Sequence, residues 1–276
     1  MRERERKQKG DTMAIKRERK VSQHKEHTMA SPLSSSSPAK ISNLSLYICS
    51  FHLISFILLA FGTYTDTFEI QYGWNTYFGK FKYLTYWNIW IQTLYFVISL
   101  LYDLMKWRSV SKCDQNKVRQ LQIVIDHVHA TIVFPVGIFV VITFWLIYHF
   151  DRELVFPSFL DEIIPGWLNH ILHTLPLVLL FLDKYLVPHC YPPKLRGIGY
   201  TFCYTSIYVV WILFLAFAKG IWVYPILQIL NNQQRFVFII LLWLFGISIY
   251  LVGDGFSCFM WRASPQPTKT RKNKVK

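Results

Sequence analysis

The residues of this chain best suited to chemistry lie in one stretch, Trp167-Leu168-Asn169-His170-Ile171-Leu172-His173-Thr174. On a helix Asn169 and His173 are four apart and share a face, and His170 and His173 are three apart. The surrounding sequence is apolar over 163–187. His173 therefore falls about ten residues into a segment long enough to cross a bilayer, roughly 15 Å deep at 1.5 Å per residue. Polar groups at that depth are costly and need a partner, a cavity or a task. An imidazole away from water is neutral, with one nitrogen donating and the other free to accept a proton, as a general base requires. The other use of the same two residues is to hydrogen-bond neighbouring helices, and spacing alone does not separate the two uses.

A second group is Asp126, His127 and His129. The two histidines are two apart and point in different directions on a helix. With His170 and His173 they raise a metal reading, but histidine-box enzymes use about twice as many histidines in tighter clusters. His189 lies beyond the helix, and neither a metal nor a cofactor is expected. Asp126, near the end of its apolar run, either orients a histidine or pairs with a loop lysine, and the lysine is favoured. Thr85, in Lys82-Tyr83-Leu84-Thr85, opens another apolar run. A membrane threonine ordinarily bonds back to a carbonyl one turn earlier or across to another helix, and nothing local makes it a nucleophile. No G-x-S-x-G elbow, H-E-x-x-H pair, phosphate-binding loop or G-x-G-x-x-G occurs.

These groups must be positioned by apolar elements. Six runs, near 44–63, 84–105, 123–148, 163–187, 198–218 and 236–257, each approach the ~20 residues that a helix needs to cross a bilayer. The expected fold is an all-α integral membrane protein of about six transmembrane helices over 43–260. Pro135, Pro165 and Pro176 should bend or start helices. The apolar piece 220–230 is too short to span and reads as interfacial or re-entrant. Lys and Arg number 30 against 16 Asp and Glu, a net charge of +14. Much of that excess lies in residues 1–42, read as a disordered tail, and 261–276, a second basic tail. Basic residues outside apolar runs, without a recognition motif, point to anionic lipid and membrane orientation, not nucleic acid. Five scattered cysteines support neither a disulfide framework nor a zinc site; Cys113 and Cys258 fall where palmitoylation is feasible.

Longer pieces carry a family resemblance. The run FPVGIFVVITFWLIYHFDRELVFPSFLDEIIPGWLNHILHT, followed by PHCYPPK and GIWVYP, resembles the androgen-induced protein family over roughly residues 45–260. The resemblance implies a multipass membrane hydrolase of fatty acid esters of hydroxy fatty acids whose activity depends on a threonine and a histidine. The family's K-Y-x-T stretch is matched by Lys82 to Thr85, and its N-H-x-x-H-T stretch by Asn169 to Thr174. It thus implies Thr85 as nucleophile, His173 as general base and a lipid ester as substrate, with Asn169 an oxyanion donor or an orienting group. The departures are the basic N-terminal extension and the pair His127 and His129. Competing readings are a non-enzymatic membrane regulator or scaffold, in which the polar residues only hold helices together, and a transporter, which lacks a visible repeat of broken helices. Counting residues leaves His173 deeper than Thr85 by about 10 Å, so tilt, a longer second helix from near Tyr77 or a bend at Pro165 must bring them level. Tyr83, Tyr86, Trp87 and Trp90 line an acyl channel or form an interfacial belt.

Loop charges set the expected orientation. With both termini in the cytosol, Lys106, Arg108, Lys112, Lys117 and Arg119 fall inside, as do Lys184, Lys194 and Arg196. The other side receives Lys80, Lys82, Arg152, Lys219 and Arg235, with Asp151, Glu153, Asp161 and Glu162 among them. The closing Lys272-Asn273-Lys274-Val275-Lys276 resembles a dilysine retrieval signal or a polybasic patch, so the expected site is the endoplasmic reticulum, another endomembrane or the plasma membrane. Tags on either terminus should label once the plasma membrane is permeabilised with internal membranes still sealed. A tag that labels on intact cells, or only after internal membranes are opened, would contradict this orientation.

Overall fold

The computed structural model describes residues 38–108 and 112–261, and within these every regular element is helical. The basic tails, apart from the start of the first helix, lie outside the described residues, as does the Cys113 side chain. Helix α1 (Pro38–Tyr64) opens on a proline, whose fixed φ suits a first turn, and runs into a π turn (Thr65–Glu69). A 3₁₀ turn (Gly79–Lys82) leads into α2 (Leu84–Arg108). Helix α3 (Lys112–Val128) continues through a π turn (His129–Val133) into α4 (Phe134–Asp151). After two 3₁₀ turns come α5 (Gly166–His173), α6 (Leu175–Leu186), α7 (Lys194–Lys219), a short α8 (Pro225–Ile229) and α9 (Asn232–Trp261).

Five stretches are long and apolar enough to cross a membrane: 43–69, 84–108, 114–154, 194–219 and 232–261. The apolar run over 163–187 is not one continuous helix. It is split into α5 and α6 at Thr174, whose φ of −128° leaves the helical region. Pro176, in the first turn of α6, has no N–H to donate back across that break. Leu177 N–H instead takes Thr174 O at 3.1 Å, and the stranded His173 carbonyl accepts Trp145 Nε1–H at 2.7 Å.

Pro135 acts the same way one helix earlier. It cannot donate to Thr131 O, so the chain takes a π turn there, and Thr131 O accepts Thr201 Oγ1–H at 2.8 Å from α7. Pro165 caps the start of α5, as its position in sequence suggests. The short apolar piece 220–230 yields α8, which follows the left-handed Gly220 (φ 68°) closing α7.

The outside of the bundle is apolar and much of its interior is polar, the distribution that a lipid solvent imposes. On α1, Leu53, Ile54, Ile57 and Phe61 are exposed, while His52, Ser55, Leu59 and Thr63 are buried at helical spacing. Thr63 Oγ1 and Thr93 Oγ1 meet at 2.8 Å, joining α1 to α2. A core of Ile89, Phe96, Val133, Phe134, Leu168 and Leu180 fills the space between α2, the π turn, α4, α5 and α6.

Close approach also depends on glycine. A Cβ on the buried Gly253 would stand 2.6 Å from Tyr191 Oη and 2.8 Å from Phe134 Cε1, two rings with little freedom to retreat. Gly255, on the exposed side of the same helix, meets nothing within 4 Å. Gly253→Val should lower the thermal midpoint of the detergent-solubilised protein, by about 1–3 kcal/mol of overpacking. Gly255→Val should leave it unchanged or raise it; equal midpoints for the two variants would contradict this packing.

Candidate functional site

Thr85 stands in the first turn of α2 and His173 is the last residue of α5. They meet: Thr85 Oγ1 lies 3.2 Å from His173 Nε2. Asn169, one turn before His173, places Oδ1 at 2.7 Å and its backbone O at 3.3 Å from His173 Nδ1. Both oxygens only accept, so Nδ1 carries the proton and Nε2 is left as the acceptor for the threonine hydroxyl. Asn169 is thereby engaged through its oxygen, which is an orienting geometry. The imidazole is buried and lies flat on Phe144, with centroids 3.6 Å apart and planes at 10°. Trp145 holds the adjacent carbonyl and the Thr174 hydroxyl, and the latter also meets His170 Nδ1 at 3.0 Å.

The two residues stand level, and a longer second helix from near Tyr77 is not the cause, since α2 starts at Leu84. The first turn of α2 is not at an open helix end, because the segments 65–83 and 152–165 fold over it. Lys80, Lys82, Phe156 and Leu160 are all buried there. Lys80 Nζ pairs with Asp66 Oδ1 at 2.8 Å and also bonds the Asp66 carbonyl. Lys82 Nζ bonds Thr76 Oγ1 and lies over the Tyr83 ring at 4.9 Å, and burial pushes its pKa down. These lysines are thus buried parts of the cap, where sequence counts them as loop charges.

Two cavities converge on Thr85. One is apolar and runs between α4, α7 and α9, lined by Val136, Phe139, Val140, Ile212, Phe238 and Leu242 and reaching Leu84 and Thr85. The other, of about 260 Å³, touches Thr85, His173, Asp66, Lys80, Tyr83 and Tyr86. Against the ~30 Å³ that a water occupies in the liquid, it has room for several. Tyr83 and Tyr86 therefore face a cavity. Trp87 instead packs on Tyr208 at 5.4 Å, and Trp90 is exposed at the surface.

The other candidates fall elsewhere. His127 is half-buried on α3 and apart from His173, and His170 meets Thr174, so the histidines of 127–173 form no common cluster among the described residues. Asp126 bonds His189 Nδ1 at 3.0 Å, not a loop lysine. Lys184, counted in sequence among the loop charges, is fully buried and donates to Tyr191 Oη at 2.6 Å. Among the described residues, a set suited to hold a metal is one that spacing did not suggest, His129, Asp183 and His189, with one ligand atom from each lying within 4.8 Å of the others. No sequence signal unites them, since they come from a π turn, the end of α6 and the following loop.

Together these features define a multipass helical membrane protein with a part-buried threonine–histidine–asparagine chain between two cavities. The sequence matches the FAR-17a/AIG1-like protein family over residues 47–257, and the chain belongs to that family. It is 34% identical over 190 residues to human (Homo sapiens) androgen-induced gene 1 protein, covering 68% of this chain and 80% of that protein. It is 32% identical over 231 residues to human androgen-dependent TFPI-regulating protein, covering 81% of this chain and 97% of that protein. The hamster (Mesocricetus auratus) androgen-dependent TFPI-regulating protein is 32% identical over 194 residues, 70% of this chain and 82% of that protein. No solved structure matches.

Proposed function

We propose that this protein is a membrane-embedded hydrolase of fatty acid esters of hydroxy fatty acids, with Thr85 as nucleophile and His173 as general base. The observation that carries the reading is the 3.2 Å contact between Thr85 Oγ1 and His173 Nε2, with Nδ1 held by Asn169. A threonine hydroxyl is a poor nucleophile until a base takes its proton as it attacks. His173 Nε2 lies within hydrogen-bond reach of that hydroxyl, and one face of its ring is covered by Phe144.

Thr85 Oγ1 adds to the ester carbonyl as its proton moves to Nε2. The tetrahedral intermediate collapses, the ester C–O bond breaks, and Nε2–H returns the proton to the departing hydroxy acid. Water from the second cavity, deprotonated by the same nitrogen, then attacks the acyl-threonine, and Thr85 recovers its proton. The developing oxyanion needs donors, whose removal typically costs about 3–4 kcal/mol. In the first turn of α2 the N–H groups of Leu84, Tyr86 and Trp87 already donate, to Tyr224 Oη and Tyr83 O, which leaves the Thr85 N–H as the nearest candidate donor. The apolar cavity suits the acyl chain, and the second cavity, which Asp66 and Lys80 help to line, suits water and the leaving half.

The test compares purified wild type with Thr85→Ala and His173→Ala on a fatty acid ester of a hydroxy fatty acid. Each variant should lose at least ~100-fold in kcat/KM. Asn169→Ala should lose less, because it disturbs orientation and not the reacting groups. Equal turnover by wild type and the two alanine variants, with unchanged thermal midpoints, would rule the reading out in favour of a scaffold whose polar residues only join helices.

A further inference from the structure

A second buried polar cluster lies along α6 from the first, Asp183 being ten residues beyond His173, or roughly 15 Å. Asp183 is fully buried at its centre. Its Oδ1 is 3.0 Å from His52 Nε2. Its Oδ2 accepts Tyr95 O–H at 2.6 Å and lies 2.8 Å from His189 Nε2 and 3.4 Å from His129 Nε2. The far nitrogens of two of these rings are held by further carboxylates, His52 Nδ1 by Asp103 at 2.7 Å and His189 Nδ1 by Asp126 at 3.0 Å. The rings of His129 and His189 are stacked at 3.8 Å and 17°.

One feature of this cluster is not explained by hydrogen bonding. His129 has 0% exposure, and neither of its ring nitrogens makes a hydrogen bond. A buried donor and acceptor left without partners each cost about 1–3 kcal/mol, so apolar packing alone gives no reason for an imidazole here. His129 opens the π turn that interrupts the long α3–α4 helix, a distortion often found at functional sites.

We infer that His129, His189 and Asp183 bind a divalent transition-metal ion, zinc being the best match. Two imidazoles and one carboxylate are a zinc ligand set with a fourth position for water. The Asp126–His189 contact is the carboxylate–histidine support that metal-bound imidazoles characteristically have, and His52 and Tyr95 hold Asp183 in the same way. The ion would tie together α1, α2, the π turn and the end of α6, a structural role independent of Thr85 and His173.

The test uses the full chain in detergent, treated with a chelator, dialysed, and titrated with Zn²⁺ or Co²⁺ alone. Wild type should take up one ion per chain by elemental analysis, and the Co²⁺ form should show visible d–d bands. Zn²⁺ should raise the thermal midpoint, since an ion that binds only the folded state stabilises it. Thr85→Ala should retain the ion and the bands, and His129→Ala and His189→Ala should lose both. Wild type with no stoichiometric ion, no Co²⁺ bands and a midpoint indifferent to Zn²⁺ would overturn the site. So would full occupancy in folded His129→Ala and His189→Ala. Should those variants not fold, the wild-type Co²⁺ spectrum and stoichiometry decide alone.

Discussion

One hydrogen bond, from a hydroxyl at the start of α2 to an imidazole at the broken end of α5, fixes what the rest of this bundle has to accomplish. In hydrocarbon each of those groups alone is a liability, and together they satisfy each other only if two helices end at the same depth. The break at Thr174 makes that possible. An unbroken helix over 166–186 would need its His173 carbonyl for the next turn; the interruption gives that carbonyl to Trp145 and lets α5 stop at the imidazole. Asn169 then determines which imidazole nitrogen faces Thr85. The folded-over segments 65–83 and 152–165 close the site from the other side, with the Lys80–Asp66 pair buried in the cap.

The same rule, that each backbone group freed by a proline must find a side chain, recurs at the π turn, where Thr201 answers for Thr131. Its repetition explains why a chain with more than half its residues apolar nonetheless has a polar interior. The exterior is left to Leu, Ile and Phe, which carry no positional information beyond facing lipid. Polar side chains between helices are therefore what specify which helix lies beside which. Two such places lie around His173 and around Asp183, and the Thr63–Thr93 and Thr201–Thr131 contacts are others.

Much of the first place was legible in the sequence. Asn169 and His173 are four apart, so a shared face follows from helical spacing, and the break was signalled by Pro176. That Thr85 lies opposite them came from resemblance, because the contact spans 88 residues of chain and leaves no local mark. The second place was not legible for the same reason carried further. Asp126 and His189 are 63 positions apart, and His52 and Asp183 are 131 apart. A reading of hydropathy sends every charged residue to a loop, so Lys184 counted as an orienting charge when it is buried against Tyr191 and Phe134. The long apolar run over 163–187 reads as one helix by composition, and only Pro176 marks the break that divides it into α5 and α6.

The central claim, that the Thr85 hydroxyl is the group that carries the acyl chain, is tested most directly by trapping that intermediate. Purified protein quenched in acid during turnover of a fatty acid ester, then digested and analysed by mass spectrometry, should show the acyl mass on the peptide containing Thr85, localised to that residue. The same adduct should be missing from His173→Ala. An acyl group found on a different residue, or steady turnover with no adduct on Thr85 even when deacylation is slowed at low temperature, would contradict the account.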